Sequence, residues 1–423
     1  MCFFFQMKKM KCKKKLAVLI FWLIFVTWRG PIAFGQTLSD YVQWAIENSA
    51  TSKKEQIEEE IAGAQKEIVG HFDPMTFGGG YGSSFPSGAL FVRGAYLSAK
   101  QDFPWPGTFH TQKKISDLDI KISQNKVLQG HLQTALQVKE LYYKLFAFSA
   151  VSRLLKDNKD ILETYEDMAT RALEYHRTDI STVLALQARK NALHNRAYRD
   201  FNLFLSLSRN LNRILNRPLD SDLFIPDSLS VLDIRPYVGS LSEHHPELEE
   251  WQLEQKKSAM QKELAKVLYN RPSFSLSANL GVLGIDPSNI VGISGRYWGG
   301  VSFGLNYPVL DSKYKSRKRL SDLRGKYAAQ ATTVRRQELE GELDLYTTYL
   351  NNAIIQVVGA QKNAALIRRS INAILRPIEK TRINYGMLLK LQLEWLNYRI
   401  LEIEGTRDAY LYKARIDFLL GRV

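Results

Sequence analysis

The apolar positions from Leu343 onward recur every three or four residues, at Tyr346, Leu350, Ala353, Val357, Ala360, Ala364, Ile367, Ile371 and Ile374. That spacing predicts a helix with a coiled-coil seam. It resumes beyond Pro377 at Leu388, Leu391, Trp395 and Tyr398, and later at Ala409, Tyr412, Ile416 and Leu419. An earlier stretch carries it at Ile161, Tyr165, Met168 and Ala172. Residues 107–176 and 312–382 predict helices of ~105 Å each at ~1.5 Å per residue. The stretches 38–71 and 238–270 predict helices of roughly half that length. Two half-length helices stacked end to end would match one of full length.

Between these helices the period drops to two. Phe274, Leu276, Ala278, Leu280 and Val282 alternate with Ser275, Ser277, Asn279 and Gly281 over 273–283. Val301, Phe303, Leu305 and Tyr307 alternate with Ser302, Gly304 and Asn306 over 300–308. Alternate residues of a strand face opposite sides of its sheet. The first half of the chain offers strands at 76–85 and 89–103, less cleanly patterned because Arg93 interrupts. Four strands of this length suit a tilted membrane crossing, with Tyr81, Trp298 and Tyr307 near their ends. The alternation predicts Leu276, Leu280, Phe303 and Leu305 facing lipid, and Ser275, Ser277 and Asn306 facing a lumen. Membrane barrels need at least about eight strands, and open edges are not viable in lipid. Other copies of the chain must therefore complete the barrel, and a cyclic homo-oligomer is the simplest route.

The chain repeats itself. "SDLDIKISQ" at 116–124 recurs as "SDLRGKYAAQ" at 321–330, and "ILNR" at 214–217 recurs as "LLGR" at 419–422, both at an offset of 205. The reading is a duplication: residues 36–216 and 238–423 each run helix, two strands, long helix, return helix, joined by a link at 217–237. The fold class is α+β, with long helical hairpins and four strands per chain.

The N-terminus carries Lys8, Lys9, Lys11 and Lys13 to Lys15, then the apolar run Leu16–Val26, then Ala33-Phe34-Gly35. That order reads as a secretory signal over 1–35 cleaved before Gln36, and the apolar run is short of the ~20 residues a bilayer-spanning helix needs. The segment holds seven basic residues and no acid, so cleavage lowers the net charge from +15 to +8. Both cysteines, Cys2 and Cys12, leave with it, and disulfide or thiolate chemistry leaves with them. The remaining charge forms no aromatic-interleaved basic patch, so nucleic acid is not an expected partner. No catalytic motif is present, so an enzyme is not expected, nor a cofactor or metal. His244 and His245 precede Pro246 at a helix start and read as surface residues. "FGGGYG" at 77–82 lacks the lysine of a phosphate loop and reads as strand. "KYKSRKR" at 313–319 reads as a basic segment below the barrel, near anionic headgroups or solvent.

The duplicated plan resembles the TolC-type outer-membrane efflux proteins across essentially the whole mature chain. "HHPEL" (244–248), "PSFSLSANLG" (272–281) and "LNYPVLDSKYKSRKR" (305–319) are similar to that family's second-repeat phrases. "DFPWPGTF" (102–109) resembles the turn in its CzcC-like heavy-metal branch. The resemblance implies a homotrimer that pools its strands in one outer-membrane barrel above a periplasmic helical tunnel. It also implies that the helical tips meet a periplasmic adaptor coupled to an inner-membrane pump, of resistance-nodulation-division type. The matching tip residues are Thr178, Asp179, Ile180 and Ser181 in "YHRTDIS", with Thr178 where glycine is usual, and Tyr385 and Gly386 in "NYGMLL". Arg382 and Lys390 flank Tyr385, so an acidic ring is not expected there. A protein-secretion channel and a secreted structural coiled coil remain alternatives, and the pump encoded beside this chain would separate export of small solutes from export of proteins.

Overall fold

The segments with the strongest periodicity form the longest elements. A computed structural model describes residues 37–84, 92–226, 245–283, 296–307, 313–375 and 384–422, together with Leu229 and Leu241. The predicted signal over 1–35, the loop after 283, Pro377 and residues 227, 228 and 230–237 of the 217–237 link lie outside the described residues. The first half runs α1 (Leu38–Asn48), α2 (Ala50–Ile68), β1 (Thr76–Ser84), β2 (Val92–Phe103), α3 (Thr108–Glu174) and α4 (Ile180–Ile214). The second runs α5 (Pro246–Tyr269), β3 (Ser273–Leu283), β4 (Arg296–Asn306), α6 (Lys313–Leu375) and α7 (Tyr385–Leu419). α3 and α6 hold 67 and 63 residues, about 100 Å each at ~1.5 Å per residue.

Two helix boundaries differ from expectation, each for a local reason. The helix predicted over 38–71 is divided at Ser49, which is extended (φ −64°, ψ 146°) and caps α2 by accepting from the Ser52 amide at 3.1 Å. The helix predicted from 238 is described from Pro246. A residue before proline is steered out of the helical region, and His245 is extended there. Its ring caps α5, Nδ1 accepting from the Glu247 amide at 3.3 Å.

Half-length helices do stack end to end along the long ones. α1 and α2 pack on the first part of α3 and α4 on the rest, while α5 and α7 divide α6 in the same way. At the first junction Trp44 Nε1 donates to the Leu215 carbonyl, which ends α4, at 3.0 Å. At the second junction a side chain added to Gly421 would lie 3.6 Å from Pro246. Both return helices finish in the same turn. Asn216 (φ 53°) and Gly421 (φ 69°), 205 positions apart, are left-handed. In each turn the following amide bonds back five residues, Arg217 to Asn212 and Arg422 to Asp417.

The seam predicted on α6 is the one that packs. Leu350, Ala353, Val357, Ala360, Ala364 and Ile371 are buried. α7 joins α6 to α3, and its buried positions spread around the helix. One core lies toward the tips, where Leu155 and Leu162 of α3, Leu186 of α4, Ile371 of α6 and Leu388 of α7 meet. Two further cores surround the end-to-end junctions. α6 and α7 approach closely at Gly405, where an added Cβ would lie 2.7 Å from Val357 Cγ2.

Candidate functional site: the sheet faces and the hairpin tips

The strands form one antiparallel sheet in the order β1-β2-β3-β4, so the two halves of the chain pair directly through β2 and β3. Paired residues share a face, and the register therefore sorts every side chain. One face carries Phe77, Ala99, Ala278 and Val301 in one row, and Gln101, Leu276 and Phe303 in another. Leu280 and Leu305 belong to it as well, so the four residues predicted to face lipid lie together. Val301, Phe303 and Leu280 are 75%, 70% and 66% exposed, a large apolar surface for a folded chain.

The other face is polar and glycine-rich. It carries Ser277 and Ser302, whose hydroxyls lie 2.8 Å apart, the Lys100–Asp102 ion pair at 3.0 Å, and Asn306. Ser275 is on this face but buried, its hydroxyl lying over Gly304 opposite it, 2.3 Å from where an added Cβ would sit. Among the described residues β1 and β4 each have a strand on one side only.

Aromatic residues bracket the apolar face. At the helix end Phe274 packs on Phe303 and Trp105 at 5.7 Å, and Phe72 packs on Phe103 at 5.3 Å. At the far end Tyr81, Ala95, Val282 and Tyr297 form one row. The nine residues from Phe274 to Val282 span ~27 Å of strand. A tilt of ~40° reduces that to about 20 Å, close to the ~25 Å apolar band of an outer-membrane barrel. Trp298, near its strand end as expected, lies on the polar face with Tyr96 and so outside that bracket; the parity of Phe303 and Leu305 already carried that information.

The first hairpin tip lies at the opposite end of α3. α3 closes on a left-handed His176 (φ 52°), with the Arg177 amide donating to the Ala172 carbonyl at 2.8 Å. The unusual backbone is therefore at His176, and Thr178, expected to stand in for glycine, is a half-buried bend residue. Asp179 is the N-cap of α4, yet its carboxylate makes no capping bond. Asp179, Ile180 and Ser181 are exposed. Behind them Lys190 pairs with Glu166 at 2.6 Å, and this contact holds the Glu166 carboxyl below its usual range.

At the second tip Asn384 caps α7 by accepting from the Met387 amide at 2.9 Å. Gly386 is exposed, but Tyr385 is buried, its hydroxyl 3.4 Å from the Met168 carbonyl of α3. Tyr385 thus packs the two hairpins together. Sequence reasoning missed the buried Asn158–Gln392 hydrogen bond between α3 and α7, because only the packing of two helices far apart in the chain creates it. It also misplaced His245, which is buried with Nε2 unpartnered.

No family model matches the chain, and no curated protein matches it by sequence. Solved structures do match. The outer membrane protein VceC of Vibrio cholerae superposes with a TM-score of 0.73 over 91% of this chain and 96% of that one, at 13% identity. CusC, described for transmembrane channel formation, gives 0.77 over 94% of both chains at 10% identity. The CmeC outer membrane channel of Campylobacter jejuni gives 0.68 over 93% and 90%, at 14% identity. The fold is the one these outer-membrane channels share: long helical hairpins joined to a four-stranded antiparallel sheet. The expected fold class holds along the whole described chain.

Proposed function

We propose that the protein is the outer-membrane channel of a tripartite export system, with no catalytic role of its own. The observation that carries this is the two-faced sheet. A broad exposed apolar face, a polar face behind it and two outer strands that have no outside partner among the described residues make sense as one sector of a barrel in lipid. The fold shared with VceC, CusC and CmeC supports the same reading.

In this reading the chain is exported and cleaved before Gln36, and three copies close a barrel of twelve strands. Lipid meets Leu276, Leu280, Phe303 and Leu305, while Ser275, Ser277 and Asn306 face the lumen. The helices extend into the periplasm as a tunnel. Thr178, Asp179, Ile180, Ser181 and Gly386 face a periplasmic adaptor, which couples the trimer to a resistance-nodulation-division pump moving small solutes, drugs or metal cations. Tyr385 contributes from inside, as the joint that holds the second tip against α3.

The test is to express the full chain in a Gram-negative host, sequence the mature N-terminus, cross-link isolated outer membranes and record conductance in planar bilayers. A heat-labile trimer in the outer-membrane fraction with discrete conductance steps is expected. A soluble periplasmic monomer would overturn the reading.

A further inference from the structure

One register row of the sheet reads Gly80, Tyr96, Gly281, Trp298, a strict alternation of glycine and aromatic across all four strands. It lies on the polar face. Each ring leans over the glycine of the neighbouring strand. A Cβ on Gly80 would sit 2.6 Å from Tyr96 Cε1, and one on Gly281 would sit 2.3 Å from Trp298 Nε1. The glycines are what allow the rings to lie down. Tyr96 and Trp298 remain 49% and 41% exposed, and the next row of that face toward the helices reads Gly78, Ser98, Asn279, Gly300.

Covering a strand glycine with a neighbouring ring is itself a way to stabilise a sheet. The opposite face shows that this purpose needs no aromatic group. There the adjacent row reads Gly79, Leu97, Leu280, Gly299, and leucine covers both glycines, with Cδ2 3.1 Å and 3.0 Å from the positions of an added Cβ. The same backbone arrangement is thus roofed with aliphatic groups on the apolar side and with flat rings on the polar side. An indole and a phenol each combine a π face with a polar edge, which suits a wet wall that must also hold apolar matter.

We propose that Tyr96 and Trp298 form an aromatic contact ring around the lumen, which takes planar aromatic solutes by stacking as they pass. This rests on the channel reading above. In a closed barrel the row repeats in every copy, so the lumen presents several ring faces at one level. Stacking there is transient by design, since a passing solute must also leave.

The test is block of single-channel current in planar bilayers by 2-naphthalenesulfonate, with cyclohexanesulfonate as the non-aromatic probe of equal charge. The variant Trp298→Leu keeps the glycine covered, as Leu280 does on the other face, and Trp298→Phe keeps a ring. Block by 2-naphthalenesulfonate should weaken about threefold to tenfold in Trp298→Leu and less in Trp298→Phe. Block by cyclohexanesulfonate should stay unchanged. Equal block of wild type and Trp298→Leu by 2-naphthalenesulfonate would overturn the proposal, and so would an equal loss for both probes. If Trp298→Leu does not assemble, Tyr96→Leu is read by the same criteria. Wild-type trimers that insert but never conduct would remove the channel reading, and this inference with it; conducting trimers with unaltered block remove the inference alone.

Discussion

Gln392 of α7 donates through Nε2 to Asn158 Oδ1 of α3 at 2.7 Å, and each residue is only 1% exposed within the apolar core that joins the two hairpins. Asn158 Nδ2 continues to the Leu154 carbonyl at 3.0 Å, while Gln392 Oε1 is left without a partner. A buried polar pair gains little in net stability but fixes which positions meet, because any sliding strands both amides. Asn158→Leu should therefore destabilise the chain by about 1–3 kcal/mol, since it leaves the Gln392 amide buried and unpaired. The double variant Asn158→Leu/Gln392→Leu should recover most of that loss. Denaturant unfolding of the four proteins checks it, and additive losses would refute the coupling.

The tips separate a presented surface from a packed joint. Asp179→Lys and Ile180→Glu change exposed groups and should leave outer-membrane trimers at wild-type abundance while abolishing export of the cognate solute. Tyr385→Ala removes a buried ring and should instead lower trimer abundance or thermal stability. Trimer yield measured beside solute efflux distinguishes the two patterns. Full transport by both tip variants would make these residues ordinary turn residues.

The two faces of the sheet should answer differently to charge. Leu276→Arg or Phe303→Arg places a cation on the apolar face, at a cost of about 2–4 kcal/mol near the bilayer midplane. Ser302→Arg, on the polar face, should cost little. Folding yield into lipid vesicles gives the comparison. Cysteines at 277 and 302 should react with a water-soluble thiol reagent, and cysteines at 276 and 303 should not.

His245 makes the helical junction sensitive to acid. Burial holds its pKa below the ordinary histidine value of 6.5; Glu247 and the Phe418 carbonyl at the α7 end partly oppose the shift, and Arg335 adds to it. Below pH 6.5 the unfolded chain binds a proton that the folded chain resists, so stability falls as pH drops from that value toward the folded-state pKa. Above it His245 contributes no slope. Asparagine also caps helices well, so His245→Asn should keep α5 and flatten the acid limb of a stability–pH curve recorded from pH 7.5 to 5.

His176 holds a left-handed conformation that side chains other than glycine adopt at a cost of about 1–2 kcal/mol. In the turn of the same geometry that closes α7, glycine holds this position, at Gly421. His176→Gly should slow opening of the first tip, seen as greater hydrogen-exchange protection of the amides of Arg177 and His176. Unchanged protection would show that the tip opens by another route.

The sequence alone was enough for whatever depends on period along one segment. Three-four spacing marked α3, α6 and α7, the duplication supplied α4 by analogy with α7, and the α6 seam from Leu350 to Ile371 is the face that packs. Alternation assigned Leu276 and Phe303 to one side and Ser277 to the other, because a strand has just two sides. The 205-residue repeat marked Asn216 and Gly421 as equivalents, and both close their helices in the same left-handed turn. Tertiary structure decided what depends on which segments meet. Burial of His245 requires the end of α7 to arrive over the start of α5, and the Asn158–Gln392 pair requires a particular register of α7 on α3. Tyr385 became a joint because α3 covers it. The glycine–aromatic row exists only once all four strands take their register, since each ring lies on a glycine from another strand. Local patterns follow from backbone geometry, which every residue carries with it, whereas these contacts join positions up to hundreds of residues apart and follow from packing.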